Sequence, residues 1–128
     1  MLTQIKKLKI LIADDEEELV KALRDRLQFE GFETIAAFEG VRAIEMAHKH
    51  HPDLILLDLR MPAGTGQSVL KSLKSRSETE KIPVIVLTAL EGHNLEQELL
   101  GAGAIDFVRK PYDWNTLLDK IRKALATL

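Results

Sequence analysis

The composition of this chain is that of an ordinary globular domain and excludes several classes of protein. With 128 residues, of which 45% are hydrophobic and 30% charged, the chain has the size of one domain and can bury roughly two thirds of its unfolded surface. A net charge of −2 gives no basic field for nucleic acid or anionic lipid, and the absence of cysteine excludes disulfides and Cys-built metal centres. No apolar run reaches the ~18 residues that span a membrane, so we expect one cytoplasmic domain over residues 1–128.

Five short apolar runs, each bounded by turn residues, are predicted to form strands. Four of them are nearly continuous, which is typical of strands buried on both faces of a parallel sheet. In chain order the predicted strands are Leu8–Ala13, Thr34–Phe38, Leu54–Leu57, Val84–Leu87 and Ile105–Val108.

Between and after the strands, apolar residues recur at helical spacing. Gly31 is placed to end the first helix, and Asn94 and Asp113 are placed to cap the fourth and fifth. His51 and Pro52 end the second helix before its strand. The apolar stripes of the five predicted helices are Leu19, Val20, Leu23 and Leu27; Val41, Ile44 and Ala47; Val69, Leu70 and Leu73; Leu95, Leu99 and Leu100; and Leu117, Leu118, Ile121 and Leu125.

The strict alternation of strands and helices determines the predicted architecture. It indicates an α/β domain built from βαβ units, with a five-stranded parallel sheet and helices on both faces. Because the crossovers must be right-handed, few strand orders remain, and the flavodoxin-like order 2-1-3-4-5 is one of them. In that order the chain reverses between the first and third strands, and ligands bind there outside the carboxyl ends of the strands.

Three carboxylates follow the two strands that flank this reversal. Asp14 and Asp15 come after the first strand, and Asp58 comes after the third. Asp15 and Glu18 also have the spacing of a helix capping box, but capping does not account for Asp58. Carboxylates about 4 Å apart repel by ~4 kcal/mol per pair at an effective dielectric constant of ~20, so the cluster requires a cation or a proton. Oxygen ligands alone favour Mg²⁺ or Mn²⁺ over zinc.

Two further side chains follow the fourth and fifth strands and are predicted at the same edge. Thr88 offers a hydroxyl group and Lys110 an ammonium group, and together these can bind phosphate oxygens. Alone, Thr88 would be interpreted as a helix cap and Lys110 as a solvated residue at a strand tip. Lys110 also precedes Pro111 in a tight turn, where a cis peptide bond could aim the lysine inward. This edge therefore suits metal-dependent phosphoryl chemistry.

In their order and spacing, these residues resemble the receiver domain of bacterial two-component response regulators, the CheY-like domains. The match runs from Lys9 to about Leu125, and the resemblance implies the strand order 2-1-3-4-5. The blocks that carry it are Ile10–Asp15, Asp58–Pro62 with Gly66, Leu87–Ala89 and Asp106–Pro111.

The resemblance implies that Asp58 accepts a phosphoryl group from a phosphohistidine in a Mg²⁺-dependent reaction. The metal would be held by Asp15, by Asp58, by the backbone carbonyl of Arg60 and, through water, by Asp14. Lys110 would neutralise one phosphoryl oxygen.

The resemblance also implies a conformational switch. The Thr88 hydroxyl would bind a phosphoryl oxygen, and its movement would let Phe107 turn and alter the face made by the fourth helix, fifth strand and fifth helix. Phe107 would otherwise be interpreted as a core aromatic. It lacks the hydroxyl of the tyrosine that many relatives carry at this position.

The implied partners are those of phosphorelay signal transduction. They are a sensor histidine kinase or a histidine phosphotransfer protein, and an output domain or target protein. The domain would be a phosphoacceptor that promotes its own phosphorylation and dephosphorylation, not an enzyme, and would not bind nucleic acid directly. A phosphorylation-dependent homodimer through Asp106, Arg109 and Arg122 is a further expectation, although residues 92–103 contain no lysine or arginine.

Two departures from the usual receiver sequence are expected to tune the lifetime of the phosphorylated form. Arg60 lies two residues after Asp58, and Leu90 lies two residues after Thr88. Both positions flank the path of an attacking water. We expect Leu90 to slow hydrolysis and Arg60 to modify it.

Other functions fit only parts of the pattern. A haloacid-dehalogenase-type phosphatase also forms an aspartyl phosphate, but it needs a D-x-D motif where this chain has Asp14 and Asp15 in succession. A flavodoxin-like cofactor-binding domain needs a phosphate-cradling loop, and here the first strand is followed by five acids, residues 14–18. His48 and His51 have a spacing that could hold a metal, but we favour their interpretation as a polar helix end, where cations suit the helix dipole.

Overall fold

Strands and helices alternate along the part of the chain that the computed structural model describes, residues 6–61, 65–89, 92 and 94–126. The strands are β1 (Lys9–Ala13), β2 (Glu33–Ala37), β3 (Leu54–Asp58), β4 (Val84–Thr88) and β5 (Asp106–Arg109). The helices are α1 (Glu17–Phe29), α2 (Gly40–His50), α3 (Gly66–Lys74), α4 (Leu95–Gly101) and α5 (Trp114–Leu125).

The five strands form one parallel sheet in the order β2-β1-β3-β4-β5. This confirms the predicted α/β class and strand order. Ala13 pairs with Leu57 across β1 and β3, so the residues that follow them, Asp14 and Asp58, lie beside each other at the carboxyl edge. On the next strand, Asp58 pairs with Leu87 of β4.

Each face of the sheet is covered by its own hydrophobic core. On one face, Ile10 and Ile12 of β1 pack with buried residues of α1 and α5. On the other, Leu11 and Ala13 pack with buried residues of α2, α3 and α4. All five residues of β3 are buried, as expected of a central strand with helices on both sides. Burial of each large aliphatic side chain is worth about 1.5–3 kcal/mol, which makes the central strands a rigid support for residues at their ends.

The end of α1 has the predicted glycine. Gly31 has a φ of +96°, a left-handed conformation that glycine adopts without the strain of a Cβ atom. Its N–H donates to the carbonyl of Gln28, and the Phe32 N–H donates to the carbonyl of Leu27. These two bonds form a Schellman motif, which ends the helix and turns the chain into β2.

The predicted caps are partly right. The Asp113 carboxylate accepts a hydrogen bond from the Thr116 N–H at 3.0 Å and caps α5. Asn94 precedes α4 but makes no side-chain capping bond. The alternative interpretation of Asp15 and Glu18 as a capping box is wrong, because the residue before α1 is Glu16 and its side chain makes no capping bond.

Several predicted apolar positions lie at the surface. Val41 is 56% exposed and Leu100 is 44% exposed. In α2 the buried residues are Gly40, Ala43 and Ala47. The face of α2 that packs on the sheet is therefore made of small residues, and Val41 lies on the solvent side. Two residues assigned to strands lie just outside them and are also exposed, namely Phe38 after β2 and Ile105 before β5.

Candidate functional site

The carboxyl edge of the sheet brings three carboxylates together. Asp14 and Asp58 are buried, with 0% and 3% exposure, whereas Asp15 is exposed. One carboxylate oxygen from each lies within 4.8 Å of the others. Asp58 ends β3, and Asp14 directly follows β1 and donates its N–H to the Ala37 carbonyl of β2, so the sheet fixes both backbones. The cluster thus has two rigid buried acids and one acid open to solvent.

Lys110 enters this cluster from the end of β5. Its Nζ atom lies 2.7 Å from Asp14 Oδ2, 3.3 Å from Glu16 Oε1 and 3.6 Å from Asp58 Oδ2. The Lys110 N–H donates to the carbonyl of Thr88 at 2.8 Å, which ties the ends of β4 and β5. The peptide bond between Lys110 and Pro111 is cis.

Glu16 belongs to the site although sequence reasoning placed it only in an acidic run. Its carboxylate contacts Lys110, and its N–H donates to Asp14 Oδ1 at 3.0 Å. Both oxygens of Asp14 are therefore engaged, one by a backbone N–H and the other by an ammonium. A run of acids at a helix start gave no signal that would have separated Glu16 from Glu17 and Glu18.

The pKa values reflect burial and crowded negative charge. The pKa of Asp58 is raised from 3.8 to about 6, chiefly by burial and then by the charges of Asp14 and Asp15, while Lys110 and the Arg60 N–H act against this rise. Burial by itself lowers the pKa of Lys110, but its hydrogen bond to Asp14 and the neighbouring carboxylates raise it overall. The single ammonium does not neutralise the acids around it, so a further cation is favoured here.

Gly66, the first residue of α3, packs against the backbone at the end of β3. The Gly66 N–H donates to the carbonyl of Leu59 at 3.0 Å. A Cβ atom at Gly66 would lie 2.4 Å from Leu59 Cα and 2.6 Å from the carbonyl oxygen of Asp58. Only glycine fits this close approach. The sequence singled out Gly66 as part of a motif, and its packing against the Asp58 backbone gives the physical reason.

The predicted switch residues lie on β4, which neighbours the Asp58 strand, and on β5, the strand beyond it. Thr88 ends β4 and is buried, and Phe107 is half-buried in the edge strand β5. Phe107 pairs with Val86 and Thr88 pairs with Arg109, so Phe107 and Thr88 are diagonal neighbours on one face. The Phe107 side chain packs against the core under α2, α3 and α4.

Lys120 of α5 contacts this region and was not found from the sequence. Its Nζ atom lies 5.5 Å from the centroid of the Phe107 ring. The same atom lies 3.0 Å from Asp106 Oδ1 and 3.0 Å from the Phe107 carbonyl oxygen. In the sequence, Lys120 is one of several polar residues on an amphipathic helix, and nothing distinguishes it from Lys123.

Other predicted residues lie apart or outside the described part of the chain. Pro62 and Leu90 are outside the described residues, so the expected effect of Leu90 stays a prediction. The rings of His48 and His51 lie 6.3 Å apart, and His48 Nδ1 is 3.2 Å from Glu78 Oε2. Within the described ranges, the aspartate cluster is the only group of three acidic, histidine or cysteine ligands close enough to share an ion.

No helix in the described ranges is both long and apolar enough to cross a membrane.

Known proteins share this sequence pattern. The family model for the response regulator receiver domain matches residues 10–122. The polar-differentiation response regulator DivK of Brucella ovis is 34% identical over 116 residues, which cover 91% of this chain and 94% of DivK. The response regulator PleD of Caulobacter vibrioides is 40% identical over 114 residues, which cover 89% of this chain and 25% of PleD.

Solved structures share the fold. The Vibrio cholerae chemotaxis protein CheY4 superposes with a TM-score of 0.87 at 29% identity, covering 94% of this chain and 100% of CheY4. The receiver domain of the Francisella response regulator 1452 gives a TM-score of 0.88 at 28% identity, covering 94% and 98% of the two chains. The chain therefore belongs to the CheY-like response regulator receiver domains, which are phosphoacceptor signalling domains of two-component systems.

Proposed function

We propose that Asp58 is the phosphoacceptor of this receiver domain. An Asp58 carboxylate oxygen would form the new P–O bond, while the P–N bond to a histidine of the donor breaks and the imidazole leaves with the electron pair and takes up a proton. The observation that carries this proposal is the position of Lys110, whose ammonium lies between the buried carboxylates of Asp14 and Asp58. This arrangement suits a site that receives an additional anion.

A divalent metal completes the proposed site. The cluster contains only oxygen ligands and has more acids than cations, which fits Mg²⁺ or Mn²⁺. Asp15, Asp58 and the backbone carbonyl of Arg60 would hold the ion, and Asp14 would bind it through water. When bound, it supplies the positive charge that lets an anionic phosphoryl group approach an anionic aspartate.

Lys110 and Thr88 are the proposed phosphoryl ligands. Lys110 Nζ lies 3.6 Å from Asp58 Oδ2, within reach of an oxygen on a phosphoryl group attached there. Thr88 follows Leu87, the β4 partner of Asp58, so its hydroxyl is near enough to be drawn towards the same group. That movement would open space beside the diagonal neighbour Phe107 and bias its ring, a population shift driven by a charge change.

The proposed partners follow from this chemistry. A sensor histidine kinase or a histidine phosphotransfer protein would supply the phosphoryl group in the cytoplasm, and an output domain or target protein would recognise the altered face. The names of DivK and PleD as response regulators support this assignment. We also propose that the domain assists its own phosphorylation and dephosphorylation, and that residues 1–128 form one domain.

A phosphorylation-dependent homodimer remains part of the proposal, but its residues are engaged within the chain. Asp106 pairs with Lys120 at 3.0 Å, and Arg122 pairs with Glu30 at 2.7 Å. A dimer that uses these charges would have to replace both contacts.

Small-molecule phosphorylation tests the proposal. With acetyl phosphate and Mg²⁺, intact-mass spectrometry is expected to show one phosphoryl group on the chain and none on D58N. The exposed α1 residue Asp25 supplies the control variant D25N, which should be labelled like the unaltered protein. Label on D58N at the same site would contradict the proposal. Turnover of the donor without accumulation of a phosphorylated chain would favour a phosphatase, and neither turnover nor labelling would favour a binding domain.

A further inference from the structure

The backbone of Phe107 is held on the open side of the edge strand by two side chains. The Phe107 N–H donates to Asp106 Oδ1 at 2.8 Å, and the Phe107 carbonyl accepts from Lys120 Nζ at 3.0 Å. Lys120 Nζ and Asp106 Oδ1 are themselves 3.0 Å apart. We call this ring of contacts, made by Asp106 and Lys120 around Phe107, the β5 clasp.

The β5 clasp also reaches the side chain of the residue it encloses. Lys120 Nζ lies 5.5 Å from the centroid of the Phe107 ring, within the range of a cation–π interaction. The Lys120 side chain is 30% exposed, so this contact is only partly screened by water. One ammonium thus binds the carboxylate, the backbone and the ring, and each contact helps to orient it for the other two.

These contacts favour one placement of the Phe107 ring. The half-buried ring packs against the core beneath α4 on one side and meets Lys120 of α5 on the other. A ring that turned away would lose the cation–π contact, whereas the carboxylate and carbonyl would still fix the ammonium in place. The β5 clasp therefore adds a free-energy cost to turning the ring, separate from the packing of the core.

We propose that Lys120, held by Asp106, is a positioning residue that sets how readily Phe107 changes conformation. This inference rests on the proposed phosphorylation of Asp58, since it concerns the response to that event. The β5 clasp stabilises the ring placement seen with unmodified Asp58. Weakening it shifts the population towards the turned ring, and so strengthens binding of a phosphoryl mimic by linkage.

The test follows the ring directly by ¹⁹F NMR of protein labelled with fluorophenylalanine. The chain has four phenylalanines, and the variant F107L identifies the signal of Phe107. The variant K120M removes the charge and keeps an apolar stem, K120R keeps the charge, and D106N weakens the support. K123M is the matched control, because Lys123 lies on the same helix, is 77% exposed and pairs only with Asp119 among the ion pairs of the described residues.

Loss of the β5 clasp is expected to move the Phe107 signal before any mimic is added. In K120M the half-saturating concentration of beryllofluoride, added with Mg²⁺, should fall by about two- to fivefold, the equilibrium factor that a partly exposed cation–π contact represents. D106N should show a smaller shift in the same direction. K120R and K123M should resemble the unaltered protein, and the Mg²⁺ affinity should be the same in all of them.

An unmoved Phe107 signal in both K120M and D106N would overturn the inference, as would an equal shift in K123M. A change in Mg²⁺ affinity that matched the change in beryllofluoride affinity would also overturn it, because it would indicate a general structural effect. If the unaltered protein bound no beryllofluoride, the proposed function itself would fail. In that case the signals recorded without mimic would still show whether the β5 clasp holds the ring.

Discussion

Lys110 is bound closely to Asp14, at 2.7 Å, and stands 3.6 Å from Asp58. Of the two buried aspartates, its ammonium therefore makes a hydrogen bond with the one that is not the proposed phosphoacceptor. This leaves Asp58 crowded by acids and short of a close cation, a state that favours both metal binding and the uptake of a phosphoryl group, which converts the carboxylate into a mixed anhydride.

The metal-free protein is expected to be destabilised by Asp58 as the pH rises from about 4 to about 6. Asp58 has a pKa of about 6 in the folded chain against an ordinary value of 3.8, because burial and Asp14 disfavour its charge. Between these values the folded state binds more protons than the unfolded state, so the free energy of unfolding falls with increasing pH. The loss is complete above the folded pKa and amounts to about 1–3 kcal/mol.

Urea unfolding in the presence of a chelator measures this effect as the difference between D58N and the unaltered protein. The two should be similar near pH 4, and D58N should be the more stable by about 1–3 kcal/mol near pH 7. The comparison cancels the titrating groups that do not interact with Asp58. If the difference in the free energy of unfolding between the two proteins did not change with pH, the charge of Asp58 would not destabilise the folded state.

Removal of the Lys110 charge should destabilise the metal-free domain. In K110M, Asp14 stays fully buried and loses its hydrogen-bonded cation, and breaking a buried ion pair in this way costs about 3–5 kcal/mol. Because Mg²⁺ can replace part of the missing charge, millimolar Mg²⁺ should restore more stability to K110M than to the unaltered protein. Chemical unfolding with and without Mg²⁺ measures both quantities.

K123M is the control for this prediction, since Lys123 is exposed and its loss should change stability by less than ~0.5 kcal/mol. Equal stability of K110M and K123M in chelator would mean that Asp14 is not supported by Lys110.

A methyl group at position 66 should displace the backbone that carries Asp58 and so disturb the site. In G66A the new Cβ would lie 2.4 Å from Leu59 Cα, so the backbone next to Asp58 must move. We expect a loss of about 2–4 kcal/mol, as for other overpacked buried positions, together with slower phosphorylation of Asp58.

G101A is the matched control, because nothing lies within 4 Å of the Cβ that it would add at the end of α4. Its stability should be unchanged or higher by up to ~1 kcal/mol, since alanine favours the helix. Thermal unfolding of both variants measures the change in stability, and mass-spectrometric labelling measures the rate of Asp58 phosphorylation. Similar behaviour of G66A and G101A would contradict the close approach at Gly66.

The two predicted helix caps should differ in their contribution to stability. Asp113 accepts the Thr116 N–H at 3.0 Å, so D113A is expected to lose about 1 kcal/mol. Asn94 makes no side-chain capping bond, so N94A should be close to neutral. Urea unfolding of the two variants measures the difference, and equal losses would show that the Asp113 bond does not stabilise α5.

The fold was predictable because its strongest signals are local. A central parallel strand such as Leu54–Asp58 is apolar along its whole length, and chain-wide alternation with helices leaves few topologies. The position of the site followed from the same reasoning, since parallel strands bring residues after their carboxyl ends to one edge. Asp14 and Asp58 could therefore be placed together before their side chains were seen.

What the sequence did not reveal depends on contacts between distant elements. The rotation of α2 is set by small residues, Gly40, Ala43 and Ala47, that bring the helix close to the sheet, and an aliphatic stripe containing Val41 looked equally suitable. Lys120 resembles every other lysine on a polar helix face until β5 is packed beside it. The preference of Lys110 for Asp14, at 2.7 Å, over Asp58, at 3.6 Å, likewise depends on packing detail that residue types alone do not specify.

The β5 clasp has a consequence for the behaviour of the molecule in a crowded solution. An edge strand normally presents unpaired N–H and C=O groups to which a strand of another chain can pair, and such pairing leads to aggregation. At Phe107 both groups are already taken by Asp106 and Lys120, and the charges of that pair discourage a second chain from docking. The two side chains that orient the Phe107 ring thus also oppose strand pairing between copies of the protein at this part of β5.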